Sequence, residues 1–291
     1  MQEKIDLSII IVSYNGSFWL KKTLESLKEF YLDQTTKRVA VYLVDNASTD
    51  DVVVMTRQNF PFVQIIELEK NLGFAAANNR ALKEISSDYV MLLNPDTQLD
   101  ERSRIDLLLD YLSAHQEVGM IGPKLLLTDG RLDPACHRGE PNPWAAACYF
   151  LRLEKLWPRW RLVNGYHRGD LDMDKIHSIE AISGAAMIVP RSALEVVGLL
   201  DERFFLYAED LDWARRFREA GYQIIYDPEC IIIHHKNKTG IANQDAQISG
   251  KSREYFFNTM LQYYDKYYAD KLPKFMRRLV QSFLFVKKEG W

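Results

Sequence analysis

The stretch Leu7-Ser8-Ile9-Ile10-Ile11-Val12-Ser13-Tyr14-Asn15-Gly16 decides the fold class. Residues 7–12 are a continuous apolar, β-branched run, the pattern of a strand buried on both faces, as strands of a parallel sheet are. Ser13-Tyr14-Asn15-Gly16 breaks the run. Ser17 then offers an N-cap to a helix reaching about Phe30, with Leu20, Leu24 and Leu27 at helical spacing. The rhythm repeats outward from there. Residues 39–44 read as a second buried strand stopping at Asp45-Asn46-Ala47-Ser48-Thr49-Asp50, and residues 63–68 as a third. Residues 74–85 read as an Ala/Asn-rich helix, and 89–93 as a fourth strand ending in Asn94-Pro95-Asp96. Such β–α–β–α order predicts a parallel sheet with right-handed crossovers. Ligands of these sheets sit outside the carboxyl ends of the strands, where the polar clusters fall.

The second half is less regular. A helix is expected from about Asp100 to His115, a short strand near 119–122, and a turn at Thr128-Asp129-Gly130 between two short strands. Residues 131–178, rich in Pro, Trp and Arg, read as a loop or lid region. Order returns over 179–189, followed by helices from Arg191 and near Glu209, strands over 223–226 and 230–234, and helix from about Gln247 to the end.

Composition narrows the function classes. Of 291 residues, 47% are hydrophobic and 26% charged, the mix of a globular chain with a real core. Lys and Arg number 37 against 40 Asp and Glu, a net charge of −3, which argues against nucleic acid as a partner. Cys136, Cys148 and Cys230 are widely spaced without paired metal-ligand spacing, so they read as free buried thiols in a reducing cytoplasm. No run approaches the ~18 apolar residues of a membrane-spanning helix, and the first apolar run is too short for a signal peptide. The expected location is cytoplasmic, with peripheral attachment to the inner face of the membrane open.

Each polar cluster has a structural reading beside its chemical one. Asn94-Pro95-Asp96-Thr97 is either a turn or the mouth of a site for Mg²⁺ or Mn²⁺, which bind one or two carboxylates plus ligand phosphates. Glu209-Asp210-Leu211-Asp212 opens a helix, where first-turn acids suit the helix dipole and Asp212 can pair with Arg216. Glu209 and Asp210, beside Phe204-Phe205-Leu206-Tyr207-Ala208, can instead form a partly desolvated acid pair fit for general-base work. Strand alternation puts His234 and His235 on opposite faces, so at most one faces a site. Asn71-Leu72-Gly73-Phe74, at a helix start, could approach a phosphate or sugar.

In this order the motifs resemble the family 2 glycosyltransferases of the GT-A fold, from about Leu7 to Gly240. The carrying residues also include Asn78, Ser183-Gly184-Ala185, Asp201-Glu202, Arg216 and Gly221-Tyr222. The resemblance implies an α/β, Rossmann-like, mostly parallel central sheet flanked by helices over 1–240, with a nucleotide-binding half to about 100 and an acceptor half from about 101. A C-terminal helical extension would cover 241–291. It implies an inverting enzyme with a nucleotide-diphosphate sugar donor and a divalent cation, Mg²⁺ or Mn²⁺. By that analogy Ser13, Tyr14 and Asp45 hold the nucleoside, and Asn71 and Gly73 lie near the ribose or sugar. Asn15, Asn46, Asn78, Asn94 and Gly184 complete the donor set. Asn94 stands where the family's Asp-x-Asp motif has its first acid, so Asp96 is that motif's metal ligand; His234 matches the late histidine that reaches the metal or diphosphate, with His235 as the alternative one register away. Asp210 matches the catalytic base, with Glu209 beside it.

The Asp-Asn-Ala-Ser-Thr-Asp and Asn-Pro-Asp-Thr runs look like the bacterial rhamnosyltransferase branch, which builds cell-surface polysaccharide. That favours dTDP-rhamnose or a UDP-sugar as donor and a saccharide or lipid-linked acceptor. The alternative is a non-catalytic nucleotide-sugar or carbohydrate-binding scaffold with the same fold. A nicotinamide dehydrogenase is excluded, since the first βα turn has no G-x-G-x-x-G. In the tail, Leu272, Phe275, Met276, Leu279, Val280, Phe283 and Leu284 recur at helical spacing among basic residues. That helix either lies on an anionic bilayer or packs on the domain or on a second subunit of a homodimer.

Overall fold

A computed structural model describes residues 4–236 and 246–271. Strand β1 (Leu7–Ser13) is buried along its whole length. It is the centre of a parallel block, in register with β2 (Val39–Asp45) on one side and β4 (Tyr89–Leu93) on the other. Strand β3 (Val63–Glu67) extends the block beyond β2. A parallel sheet is covered on both faces by its crossover helices, so its central strand must be apolar on both, which is what the 7–12 run supplies.

The remaining strands are β5 (Thr97–Gln98), β6 (Val118–Leu127), β7 (His177–Ser178), β8 (Ala186–Pro190) and β9 (Gln223–His234). The sheet order is β3-β2-β1-β4-β8-β6-β9-β5, with β7 also on β9. Antiparallel β8 joins the parallel block to the parallel pair β6–β9. Helices α1 (Ser17–Leu27), α2 (Val52–Asn59), α3 (Phe74–Glu84), α4 (Ile105–Ala114), α5 (Pro143–Phe150), α6 (Arg191–Val197) and α7 (Glu209–Glu219) follow in chain order, and α8 (Ala246–Tyr267) is the C-terminal helix. Helix α1 buries Leu20, Leu24 and Leu27. Each such side chain contributes about 1.5–3 kcal/mol when removed from water.

The structure departs from the sequence reading at several elements. Ser17 does not cap α1; Gly16 is the N-cap, and the Ser17 N–H donates to the Asp50 carboxylate at 3.0 Å. The cap is borrowed from the next loop, which fixes the two loops together. Beyond Leu27 the chain continues as a wider π-type turn to Leu32. Helix α2 adds an element to the sequence reading, which assigns nothing to 52–59; its three consecutive valines are weak helix formers, and burial of Val52 and Met55 compensates. Residues 223–234 form one strand rather than two. Asp227 pairs with Pro123 and Ile231 with Lys124, so residues 228–230 bulge out and accommodate Pro228 without ending the ladder. Within the ordered stretch 179–189 the strand begins at Ala186.

Between 131 and 178 the chain is mostly irregular, apart from α5, whose start is capped by the Asn142 side chain on the Ala145 N–H at 2.9 Å. All three cysteines are free and buried. Helix α8 packs on the domain through buried Phe257, Tyr263 and Tyr264. The Tyr263 and Tyr268 hydroxyls each donate to Glu140 at 2.6 Å. The amphipathic tail, 272–291, lies outside the described residues. Among the described residues no helix is long and apolar enough to cross a membrane.

Candidate active site

Three loops meet at the carboxyl ends of the parallel strands. Ser13 and Asp45 are register partners, so the first two loops leave the sheet at the same level. Asn15 adopts a left-handed backbone (φ 52). Its N–H donates to Ser48 Oγ at 3.0 Å, and its Oδ1 accepts from the Thr49 N–H at 2.7 Å. Asn46 stitches the second loop to the third: its Oδ1 accepts from the Leu72 N–H at 2.8 Å and its Nδ2 donates to Asn71 Oδ1 at 2.9 Å. Gly73 has φ 82, and a Cβ there would stand 2.3 Å from the Phe205 carbonyl oxygen, so only glycine fits. Asn15, Asn46, Asn71 and Gly73 thus tie the loops together at the carboxyl edge of the sheet. Asn79 does similar work elsewhere, bracing Leu200 and Glu202.

Other groups of the expected donor set keep polar capacity in hand. Tyr14 is exposed, whereas Asp45 is buried and accepts from the Ser48 N–H at 3.3 Å. Ser13 Oγ and Asn78 Oδ1 are buried with no hydrogen-bond partner. Buried polar atoms are almost always satisfied, so unsatisfied ones at a strand mouth call for a ligand.

A second cluster forms where β5 meets β9. Thr97 is paired with His234, which brings that imidazole over the Asn94-Pro95-Asp96 turn. The Thr23 hydroxyl of α1 donates to the carbonyls of Pro95 (2.9 Å) and Thr97 (2.6 Å), fixing the turn from below. His234 Nε2 lies 3.4 Å from Asp96 Oδ1, and Nδ1 lies 2.8 Å from Asp133 Oδ2. Asp133 is fully buried, and its Oδ1 accepts from Lys236 at 2.8 Å. Burial pulls the His234 pKa down, but the hydrogen bonds and charges of Asp133 and Asp96 outweigh it and raise the pKa to about 9. Burial pushes the Asp133 pKa up, yet His234 and Lys236 hold that carboxyl well below the usual carboxylate range. His235 faces away, with Nε2 2.9 Å from Gln98 Oε1 and its ring tilted by 32° against Trp19 at 4.6 Å.

This pocket favours positive charge. Among the described residues no three His, Cys, Asp or Glu side chains converge as a metal cage. The donors present nonetheless fit a hard divalent cation: one carboxylate, and one imidazole whose far nitrogen is fixed by a second carboxylate, as in metal-ligating histidines. Mg²⁺ and Mn²⁺ need few protein ligands when phosphates fill the other positions.

The third cluster starts α7. Tyr207 (φ 70) and Ala208 (φ 63) are consecutive non-glycine residues in the left-handed region, a conformation that costs on the order of 1–3 kcal/mol each. That turn delivers Glu209 and Asp210. Asp210 Oδ2 accepts from Arg138 Nη2 at 2.6 Å and from the Gly184 N–H at 3.1 Å, while Oδ1 accepts from the Leu211 N–H at 2.7 Å. Arg138, buried, also donates to the Ile182 carbonyl at 2.7 Å and bonds the Tyr166 hydroxyl. Gly184 therefore contacts the acid rather than standing free. Its neighbour Ala185 accepts the Asn94 N–H at 2.8 Å. The 184–185 segment is one wall touching both the Asp96 turn and Asp210. Asp212 is structural, pairing with Arg216 at 2.9 Å and accepting from Tyr267 of α8 at 2.7 Å.

Glu209 Oε2 has no partner, and burial, reinforced by the charge of Asp210, raises the Glu209 pKa to about 8. Unfolding therefore releases a proton between the ordinary glutamate pKa near 4.5 and about 8. The contribution of Glu209 is intact below that window and is lost as pH rises through it, by up to roughly 1.4 kcal/mol per pH unit. Melting curves of wild type and Glu209→Gln should diverge from pH 5 to pH 8, with wild type losing ground. Parallel curves would show that Glu209 ionises normally.

Asp133 and Arg138 escaped the sequence reading. Both lie in the irregular 131–178 segment, where no spacing rule ties an acid or arginine to a site. Asp133-Pro134 signalled only a turn.

A parallel sheet with an acidic turn, a late histidine and a helix-opening acid pair at its carboxyl edge has the layout of a GT-A nucleotide-sugar enzyme. The glycosyl transferase family 2 model matches residues 8–159, and the chain belongs to that family. It is 32% identical over 241 residues to the N-acetylglucosaminyl-diphospho-decaprenol L-rhamnosyltransferase of Mycobacterium tuberculosis, covering 79% of this chain and 76% of that protein. It is 25% identical to the low-salt glycan biosynthesis hexosyltransferase Agl10 of Haloferax volcanii, covering 75% of this chain and 64% of that one. Among solved structures, the mannosyltransferase of Pyrobaculum calidifontis in complex with GDP-Man and Mn²⁺ superposes with a TM-score of 0.60 at 17% identity. That match covers 91% of this chain and 64% of the other, and it establishes the shared fold.

Proposed function

We propose that the protein is a divalent-metal-dependent, inverting glycosyltransferase of cell-surface polysaccharide synthesis. It moves a sugar from a nucleotide-diphosphate sugar, with dTDP-rhamnose favoured over a UDP-sugar, to a hydroxyl of a saccharide or lipid-linked acceptor. The rhamnosyltransferase relative supports the branch, and the Mn²⁺-bound neighbour supports the cation. The observation that carries the mechanism is the 184–185 wall, which touches the carboxylate of Asp210 and the turn bearing Asp96.

Asp210 is the base. Arg138 and the Gly184 N–H fix its Oδ2, and Oδ1 retains a lone pair beyond the one taken by Leu211. The acceptor O–H gives its proton to Asp210 as the oxygen attacks the anomeric carbon. The bond from that carbon to the diphosphate oxygen breaks on the opposite face, and its electron pair leaves with the nucleoside diphosphate. One displacement inverts the centre. Glu209, with its raised pKa, carries a proton at neutral pH and so does not compete with Asp210 for the acceptor's proton. Asp96 and His234 hold the cation, with Asp133 orienting the imidazole. When bound, the cation neutralises charge developing on the leaving diphosphate. Ser13, Tyr14, Asp45 and Asn78 take the nucleoside and sugar, beside the loops tied together by Asn15, Asn46, Asn71 and Gly73.

A thermal-shift panel of UDP-, dTDP- and GDP-sugars with and without Mn²⁺ tests this. A ligand at 100 times its Kd stabilises the folded state by about 2.7 kcal/mol, which moves Tm by several degrees in a chain of this size. One donor class should raise Tm, and more so with Mn²⁺. Silence across the panel would remove the donor-binding reading.

A further inference from the structure

We propose that residues 144–162 form a face that docks the protein on an anionic phospholipid bilayer. Half of the large hydrophobic side chains exposed among the described residues fall in this one segment: Trp144, Leu151, Leu156, Trp157, Trp160 and Leu162. Leu156 is 67% exposed and Trp144 56%. Isolated exposed apolar residues need no explanation, but this density in one segment marks an interaction surface.

The charge on this face is of one sign. Arg152, Lys155, Arg159 and Arg161 are exposed, and none forms an ion pair among the described residues. The one acid among them, Glu154, is turned inward onto His167 Nδ1 at 3.0 Å. A chain of net charge −3 therefore carries only basic side chains among the exposed charged residues of 144–162, where Trp157 and Trp160 emerge. Tryptophan and leucine seated at the headgroup level, with arginine and lysine toward anionic lipid, are the features of an interfacial anchor.

The face is also preformed. Trp157 and Trp160 meet edge to face at 6.3 Å, and the Trp144 indole N–H donates to the Leu162 carbonyl at 2.8 Å. Beneath them Asn164 Nδ2 donates to the Pro158 carbonyl at 2.6 Å. A cavity of about 390 Å³ beside Trp144, Arg161 and Leu162 is also lined by Glu140, Glu180 and the ion-paired Arg168, so the basic character of the face rests on Arg152, Lys155, Arg159 and Arg161. The face borders the proposed base through one short path: the Gly139 N–H donates to the Tyr166 carbonyl at 2.6 Å, and the Tyr166 hydroxyl bonds Arg138, which holds Asp210. If the acceptor is lipid-linked, as proposed above, it reaches Asp210 from the bilayer side.

The test is co-sedimentation of the full chain with vesicles of phosphatidylglycerol and phosphatidylcholine, against vesicles of phosphatidylcholine alone, read without donor or acceptor. Failure here is therefore distinguishable from failure of the nucleotide panel. Wild type should bind the anionic vesicles and release at high salt, because the Debye length shrinks. The triple variant Leu156→Ser, Trp157→Ser, Trp160→Ser should partition at least about tenfold more weakly, since each residue removes interfacial apolar area. All three positions are exposed, so Tm and the nucleotide-induced shift should stay at wild-type values. Equal binding by wild type and variant would assign any membrane contact to another part of the chain and overturn the proposal. Binding to neither vesicle would overturn it as well. So would sedimentation velocity showing that wild type self-associates and the variant does not, since the face would then belong to a second copy.

Discussion

Replacing Asp210 with asparagine lowers turnover by about a hundred- to ten-thousand-fold, the usual contribution of a positioned general base, while nucleotide binding persists. Asparagine keeps the shape and can still accept from Arg138 Nη2 and the Gly184 N–H, which now hold Oδ2 at 2.6 and 3.1 Å. It cannot take the acceptor's proton. The substitution also leaves the Arg138 guanidinium buried without its counter-charge, and breaking a buried pair this way costs on the order of 3–5 kcal/mol when nothing compensates. Two readouts therefore separate chemistry from folding. The nucleotide-induced Tm shift must survive in Asp210→Asn, and kcat must fall far more than KM rises. If Arg138→Lys lowers kcat without a comparable loss of nucleotide binding, Arg138 acts as a positioning residue, because lysine cannot reproduce the two directed N–H bonds to Asp210 and Ile182. Wild-type turnover in Asp210→Asn would remove the base assignment and shift attention to Glu209.

The parallel half of the fold was legible because burial on both faces leaves no polar alternation to blur the strands. The runs at 7–12, 39–44, 63–68 and 89–93 lie within about one residue of the observed strands. The loops that follow them were legible as polar clusters, although periodicity alone could not tell ligand contact from scaffold. Asn46 shows why: both ends of its amide are committed to Asn71, Leu72 and Gly73, a fact that depends on how two loops approach each other. Asp96 and His234 are 138 residues apart in sequence and meet only because a two-residue strand pairs with β9. Their association was reachable through family resemblance and not through spacing. Asp133 and Arg138 were invisible for the same reason, since an irregular segment carries no register from which to infer a neighbour. Helix α2 had no local signal to read, since Val52, Val53 and Val54 favour extended backbone and the helix is held by burial of Val52, Met55 and Thr56.

Removing the Asp96 carboxylate should abolish the metal's effect on nucleotide binding. In Asp96→Ala the nucleotide affinity in Mn²⁺ falls by at least about a hundredfold, because losing even an outer partner of a metal ligand costs roughly 10–100-fold, and Asp96 is proposed as the ligand itself. Affinity without metal should be the same in wild type and variant. This comparison matters because coupling between metal and nucleotide is reciprocal: whatever factor Mn²⁺ adds to nucleotide affinity, nucleotide adds to Mn²⁺ affinity. Within each protein the factor by which nucleotide raises Mn²⁺ affinity must then equal the factor by which Mn²⁺ raises nucleotide affinity, and that shared factor should shrink in Asp96→Ala. Asp133→Asn provides the graded control. It keeps a hydrogen-bond acceptor 2.8 Å from His234 Nδ1 but removes the charge, so its loss should fall within the outer-partner range and below that of Asp96→Ala. The substitution at position 96 leaves the turn braced, since Thr23 holds the Pro95 and Thr97 carbonyls and the His235 N–H donates to the backbone of residue 96 at 2.8 Å. An unchanged Mn²⁺ response in Asp96→Ala would place the cation elsewhere. His234, between Asp133 and Asp96, would then be a charged structural bridge holding β9 to the Asn94-Pro95-Asp96 turn.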